Sequence, residues 1–429
     1  MNENLTVNEQ GNLAVAGVDA IELAEEYGTP VYIMNEDLIR HNCRLFKESI
    51  DKYYGGNGLV CYASKAFSCL EIYRIVASEG LGVDVVSGGE LFAALKAGTD
   101  ASKICFHGNN KTAAELEYAL ENKVGRIVAD NIPELHMLNK IAEKMGVTAD
   151  IMFRVKPGVD AHTHDFVRVG KIDSKFGFAI ETGEAFEAVK LALSSKFVRV
   201  KGLHCHIGSQ IFDVAPFEAA AEIMLGFIAE IRNKLGYEIE ELNLGGGFGI
   251  KYTDEDTPVP FVNYMESVSE VVRNTCENLN IKQPFIFIEP GRSVVGEAGT
   301  TLYTVGARKE IPNIRTYLSV DGSMCDNPRY SLYGAKYDAI VANRAEQERS
   351  ETVTVAGKCC ETDTLIEEVK IQHADSGDIL AVLSTGAYNY SMASHYNKTP
   401  NPPVVFIKDG QSRIAVRRET YEDLVRNDV

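Results

Sequence analysis

Between about residue 58 and residue 289, short apolar runs alternate with longer stretches whose apolar positions recur at helical spacing. The runs read LVCYA (59–63), VDVV (83–86), ICFH (104–107), RIVA (126–129), IMFRV (151–155), VKGLHCHI (200–207), LNL (242–244) and FIFIE (285–289). The early ones start roughly 22 residues apart, which leaves room for one helix and two turns. Ser68 to Glu79 has a serine start and stops at Gly80, and Gly89 to Ala97 stops at Gly98. Asn131-Ile132-Pro133-Glu134 opens another helix, with an asparagine cap and proline in its first turn. Eight β–α units in succession predict an α/β fold of the (β/α)8, TIM-barrel type. An open doubly wound sheet is the alternative.

After Pro290 the pattern changes. TLYTVGAR, RTYLSVDG, TVTVAGK and DILAVLS are β-rich without regular intervening helices, and PVVFIKDGQSRIAVRR predicts a hairpin turning at Asp409-Gly410. The first 35 residues contain a short hairpin-like stretch around Gly11. Both chain ends are therefore assigned to one β-rich domain, a sandwich or barrel of residues 1–35 and 286–429, with the (β/α)8 barrel of residues 36–285 inserted between them.

Composition narrows the function classes. A chain of 429 residues is long for a single ordinary domain, and 45% hydrophobic with 24% charged residues suits a folded protein. Lys and Arg number 43 against 61 Asp and Glu, a net charge of −18 that repels phosphate backbones and argues against nucleic-acid and anionic-membrane partners. The start MNENLTVNEQ lacks the pattern of a secretory signal, and no apolar run approaches the ~18 residues of a membrane span. Nine cysteines without a C-x-x-C pair suit a reducing cytoplasm. Most are expected in the core; Cys359 and Cys360 lie side by side in a polar loop.

Barrel chemistry collects in the loops that follow the strands. That rule sorts the polar residues: Lys65 follows strand one, DVVSGGE (84–90) closes strand two, and His107 ends strand three. Arg154 ends strand five, His206 ends strand six, Gly245-Gly246-Gly247 follows strand seven, and Glu289-Pro290-Gly291-Arg292 follows strand eight. Singly, each has a bland reading: a solvated lysine, a tight glycine turn. Glycines there nevertheless expose backbone N–H groups that can cradle a phosphate, with Arg292 as a charged partner. A metal site of His204 and His206 with His162 and His164 is an alternative, although no bridging carboxylate set supports it.

Over nearly the whole chain these residues resemble the fold-type III decarboxylases that use pyridoxal 5′-phosphate, the family acting on diaminopimelate, ornithine and arginine. The motifs occur in order: YASKA, HIGSQ, LGGGFG, EPGR, DNPRYSLYGA, CCE and TGAY. The resemblance implies that Lys65 forms a Schiff base with the cofactor. It implies that Glu289 contacts the pyridine nitrogen and keeps it protonated, where the racemase branch carries an arginine, so the acid points to decarboxylation. His206 is implied to stack on the ring. Ser209, Gly247, Gly291 and Arg292, with Pro290 between Glu289 and Gly291, hold the phosphate region, and Tyr388 closes it. Asp84 and Arg154 orient the lysine and ring from behind.

The same resemblance makes Cys360 the proton donor after CO2 leaves, reaching across a homodimer interface into the neighbouring site, in a Cys-Glu-Thr where the family has Cys-Glu-Ser. Cys359 is incidental. The Arg329–Tyr333 stretch and Glu361 favour the diaminopimelate branch. Arg292 and Arg329 grip a carboxylate, Tyr333 and Tyr388 contribute to the same substrate site, and Glu361 takes an ammonium. An unpaired Arg329 penalises ornithine and lysine, which lack a second carboxylate. A surface salt bridge is the plain alternative for Arg329. The expected reaction converts meso-2,6-diaminopimelate to L-lysine and CO2. Alternatives are another basic amino acid in the same family, an inactive regulatory relative, and a metal-dependent barrel hydrolase.

Overall fold

The computed structural model describes residues 4–159 and 174–429. Eight parallel strands close a barrel in the order Gly58–Ala63, Gly82–Val85, Ile104–Phe106, Arg126–Ala129, Ala149–Lys156, Val198–His204, Glu241–Asn243 and Phe285–Ile288. The last strand pairs back on the first, and the fourth pairs with the fifth, so the expected barrel is a closed one.

Strand residues alternate between two surroundings, as the pleat requires. Val60, Tyr62, Val83, Val85, Ile104 and Phe106 point outward into the large core shared with the helices. Cys61, Cys105, Val128, Met152 and Phe287 point inward and fill the barrel. Moving two residues on from four of these inward positions reaches His107, Asp130, Arg154 and Glu289, so the layer nearest the C-terminal mouth is polar where the one beneath is apolar.

The Asn131 cap is present: its side chain accepts the Glu134 N–H at 3.0 Å at the start of Ile132–Met145. Ser87 caps Gly88–Lys96 in the same way, at 3.2 Å. Ser68 caps nothing. The helix begins later, at Leu70–Ser78 after Cys69, because the Ser68 hydroxyl bonds the Tyr73 phenol at 2.7 Å instead.

The second sheet unites both chain ends. Val31–Asn35 lies between Gly299–Ile311, antiparallel, and Val404–Lys408, parallel. The hairpin Val404–Lys408/Gln411–Val416 turns at Asp409 and Gly410, both at positive φ. Alternation again divides the faces: Tyr32, Met34, Val404 and Phe406 pack toward the barrel, while Val31, Ile33, Val405 and Ile407 join a separate core. The boundary expected at 285/286 falls inside the eighth barrel strand; the change of sheet comes between Ile288 and Gly299. The sequence break at Pro290 marks the loop leaving that strand, and the run FIFIE belongs wholly to the barrel side. Among the described residues no helix is long and apolar enough to cross a membrane.

Where sheet and barrel meet, three glycines let the backbone cross closely. The Gly386 N–H donates to the Gly296 carbonyl at 3.1 Å and the Thr385 N–H to the Gly299 carbonyl at 2.9 Å. A Cβ on Gly386 would lie 1.9 Å from the Val295 carbonyl oxygen. Gly386→Ala is therefore expected to cost about 1–3 kcal/mol. A lowered thermal unfolding midpoint checks this, and an unchanged midpoint contradicts it.

Candidate active site

The barrel's polar upper layer forms one cavity that opens at the mouth. Ala63, Lys65, Asp84, His107, Arg154, His204, His206, Ser209, Gly247, Glu289, Gly291, Arg292 and Tyr388 line it. Lys65 stands in a short turn after the first strand. Its neighbour Ser64 is buried and donates toward the Asp84 carbonyl at 2.7 Å and the Glu90 carboxylate at 2.8 Å, which fixes the turn while the lysine side chain remains exposed in the mouth.

Glu289 is buried at the end of the eighth strand and held by three donors. Its Oε1 takes His107 Nε2 at 2.7 Å and Asn243 Nδ2 at 2.6 Å, and its Oε2 takes His204 Nε2 at 3.1 Å. Burial alone raises a carboxyl group, but His107 and His204 outweigh it and hold Glu289 well below the usual range. Oε1 is thus filled, whereas Oε2 keeps a lone pair for a further donor. His107 experiences the converse balance: burial lowers it, and Asp84 and Glu289 raise it. Asp84 lies 3.8 Å from His107, and burial pushes it up to about 7. His204 is pushed down to about 4 by burial, and burial likewise keeps His206 neutral. His206 Nδ1 accepts the Gly246 N–H at 3.3 Å.

Glycines close the opposite wall. A Cβ on Gly246 would lie 2.1 Å from the Glu289 carbonyl oxygen, and one on Gly247 would lie 2.6 Å from that of Gly208. Arg292 is 7% exposed and donates to the Ser209 hydroxyl at 2.8 Å and the Tyr252 phenol at 2.5 Å. Its buried Nε has no hydrogen-bond partner among the described residues. Its guanidinium carbon lies 4.8 Å from the Tyr388 ring centroid. Tyr388 adopts φ of 64°, a conformation costly for a side chain of its size, and its N–H donates to the Ala66 carbonyl at 2.7 Å. Pro290 acts through its carbonyl, which accepts the Ala63 N–H at 3.1 Å and joins the first and last strand ends.

Outside this cavity the mouth widens between Arg329, Tyr333, Met392, Lys175 and Phe176. Among the described residues its lining includes five cationic side chains, Lys65, Arg154, Lys175, Arg292 and Arg329, and no carboxylate. Arg154 packs on Phe176, 4.1 Å from the ring centroid. Arg329 is 7% exposed and so is no surface salt bridge; it donates to the Tyr337 phenol at 2.7 Å. Tyr252 lies between the two guanidinium groups, with centroid distances of 4.9 Å to Arg329 and 5.6 Å to Arg292.

Cys360 and Glu361 stand apart. Both are exposed on a turn of the second sheet, Cys360 donating its N–H to Asn397 at 2.9 Å and Glu361 accepting the Tyr396 phenol at 2.8 Å, and neither lines the cavity. Within one chain the structure does not bring them to Lys65.

Of the histidines weighed as metal ligands, His204 turns to Glu289, His206 bonds Gly246, and His162 and His164 lie outside the described residues. His107, His204 and Glu289 have donor atoms within 4.8 Å of one another. The 2.7 Å contact between His107 and Glu289 is shorter than the ~3.3 Å that separates two ligands on one tetrahedral zinc ion, and is a hydrogen bond. Sequence reasoning missed Asn243, Tyr252, Tyr337 and the partnership of His107 and His204 with Glu289. For His107 the signal was a polar residue two places beyond the inward-facing Cys105; Asn243 and His204 follow Glu241 and Gly202 at that spacing and carried no such signal.

The chemistry of these donors suits pyridoxal phosphate. A buried anion with a free lone pair faces the cavity at one wall, and a glycine cradle with an unspent Arg292 N–H stands at the other. Asp84 Oδ1 is also buried without a hydrogen-bond partner.

Comparison with known proteins agrees. The sequence profile of the pyridoxal-binding domain of pyridoxal-dependent decarboxylases matches residues 36–296. The chain is 51% identical to diaminopimelate decarboxylase of Bacillus methanolicus over 96% of both chains. It is 48% identical to that of Bacillus subtilis, over 98% of this chain and 96% of the relative. The structure of diaminopimelate decarboxylase from M. jannaschii in co-complex with L-lysine superposes with a TM-score of 0.92 at 35% identity, covering 100% of this chain and 98% of that one.

The segment leading to Arg329 rests on Asp326, whose buried carboxylate accepts the Tyr303 phenol at 2.5 Å and the Ser323 N–H at 2.8 Å. Burial pushes Asp326 up to about 7. The folded state therefore binds this proton more tightly than the unfolded chain, whose aspartate titrates at about 3.9. The contribution to stability is full below about pH 4 and is lost as pH rises to about 7. Asp326→Asn, whose amide resembles the protonated acid and does not titrate, should flatten the decline between those pH values. Urea unfolding across that range tests this, and an unaltered slope contradicts it.

Proposed function

The chain belongs to the pyridoxal-dependent decarboxylases, and on that premise we propose that it converts meso-2,6-diaminopimelate to L-lysine and CO2, the last step of lysine biosynthesis, with pyridoxal 5′-phosphate as cofactor. The observation that carries the substrate reading is Arg329, a buried guanidinium at the cavity mouth with no carboxylate within ion-pair distance among the described residues. An unpaired buried charge is costly, and a ligand carboxylate offsets that cost. Diaminopimelate has a carboxylate at each end, so one can remain on Arg329 while the other is lost. Ornithine, lysine and arginine have none to spare.

Lys65 supplies the amine that anchors the cofactor aldehyde. Glu289, held as an anion by His107, Asn243 and His204, would meet the ring nitrogen with the open side of Oε2. His206, buried and neutral, would support the ring. Gly247, Gly291, Ser209 and Arg292 would hold the phosphate with Tyr388 beside them, and Asp84 and Arg154 would orient the lysine and ring. When bound, pyridoxal phosphate supplies the electron sink that lets the carboxylate depart as CO2.

Among the described residues the outer mouth holds no carboxylate for the distal ammonium and no thiol to protonate the product carbon. Cys360 and Glu361 carry that chemistry on an exposed turn, and we infer that a second copy of the chain brings its turn to this mouth, so that a homodimer is the working form. The compartment consistent with this acidic chain and its free thiols is the cytoplasm.

Purified holoenzyme offered meso-diaminopimelate, ornithine, lysine and arginine in parallel should release stoichiometric CO2 and lysine from the first alone. Release of CO2 mainly from ornithine, lysine or arginine would support the related decarboxylases instead. Arg329→Gln should reduce kcat/KM for diaminopimelate about a hundredfold or more, a loss of roughly 3 kcal/mol in transition-state binding. Borohydride reduction should tag Lys65.

A further inference from the structure

Seven of the nine cysteines are buried and two are not. Among the described residues, two sulfur pairs approach each other: Cys61 with Cys105 at 3.9 Å, and Cys325 with Cys359 at 3.6 Å. The first lies sealed in the barrel floor, with both residues at most 1% exposed. The second lies under the turn that carries Cys360, and in a single chain Cys359 is partly open to solvent.

We propose that Cys325 and Cys359 form a redox-active dithiol, oxidised to a disulfide by low-molecular-weight disulfides, which lowers decarboxylation by displacing the turn that carries Cys360 and Glu361. One feature of the structure brings these sulfurs together. One carboxylate, that of Asp363, accepts the N–H of Met324 at 2.6 Å and the N–H of Cys359 at 2.7 Å, so the two backbones are held side by side. The sulfurs are in contact but unbonded; a disulfide needs about 2.05 Å, so roughly 1.5 Å of movement closes it.

The movement falls on one side. Cys325 is 2% exposed, and it is fixed by its N–H to the Ser323 hydroxyl at 3.1 Å, its carbonyl to the Ser394 N–H at 2.9 Å and its Sγ to the Tyr396 carbonyl at 3.3 Å. The 358–361 turn is the exposed partner, and Cys360 and Glu361 are next in the chain after Cys359. Arg329 stays where it is. The consequence for activity rests on the functional reading above, in which Cys360 and Glu361 complete the site of a second copy.

The chemistry balances as two exchanges. The Cys359 thiolate attacks a disulfide RSSR, forming a mixed disulfide and releasing one RSH. The Cys325 thiol, losing its proton to solvent, then displaces the second RSH and leaves the Cys325–Cys359 bond. Both protein sulfurs are oxidised and both small-molecule sulfurs reduced. Burial pushes Cys359 up to about 11, so the thiolate is scarce at neutral pH and the first exchange is slow. Its rate should rise about tenfold per pH unit between pH 7 and pH 9.

The test uses holoenzyme incubated with oxidised glutathione, then alkylated and digested without reductant. A peptide linking Cys325 to Cys359 should appear, with Cys61 and Cys105 unlinked. Activity on meso-diaminopimelate should fall at least tenfold and return with dithiothreitol. Cys325→Ser and Cys359→Ser should keep their activity and resist inactivation, and Cys360→Ser should still form the link. Absence of the link, or equal inactivation of the two serine variants, overturns the proposal. A link that forms without any change in activity overturns the regulatory part and leaves the dithiol. A link that forms in protein unable to decarboxylate any of the four amino acids overturns the functional reading and supports the dithiol.

Discussion

A carboxylate buried inside a protein is expensive unless donors meet it, and Glu289 is met three times. His107, Asn243 and His204 come from or directly after three different strands, so the barrel must be closed and in register before the charge can exist there. Register follows from the pleat. Slipping any of these strands by one residue would turn its donor outward into the helix layer and leave Glu289 to take up a proton. The apolar floor beneath, with Cys61, Cys105, Val128, Met152 and Phe287, is therefore part of the electrostatics, because its packing holds the strands at the heights that bring the donors together.

The rest of the cavity answers that anion with cations. The protein carries a net charge of −18, yet among the described residues the mouth presents five basic side chains and no acid. The net charge opposes long-range attraction of anionic ligands, and selection depends on short-range partners in an aromatic setting. Tyr252 matters here: by lying between Arg292 and Arg329 it lets two like charges share a small space without an acidic partner. The two guanidinium groups come from opposite sides of the domain junction, one from the barrel's last loop and one from the second sheet.

Much of this was legible from the chain. The eight apolar runs lie in the eight strands, Asn131 caps its helix, and Lys65, His206, Ser209, Gly247, Glu289, Gly291, Arg292 and Tyr388 meet in one cavity. What escaped has physical causes. Ser68 looked like a cap, but a nearby phenol competes for its hydroxyl. Asn243 sits inside a three-residue strand whose flanking leucines drew attention as an apolar run. Tyr252 and Tyr337 come from irregular segments with no periodicity to announce their direction. Glu289 was legible as an acid at a strand end, whereas its three partners are a product of closure in three dimensions. Cys360 and Glu361 are present but remote from the cavity, and no reading of one chain could bring them nearer.

The placement of Val31–Asn35 has a bearing on how the molecule comes into being. This strand leaves the ribosome early, yet its sheet neighbours are encoded near residues 299 and 404. The barrel can in principle close once Phe285–Ile288 has emerged, while Arg329 and Tyr388 are still unmade. Throughout that interval an apolar strand must wait unpaired beside a half-finished pocket. Synthesis thus leaves the entrance unfinished until the chain is almost complete, and a truncated product lacking the final strands would expose Val31–Asn35 as a sticky edge for quality control to recognise.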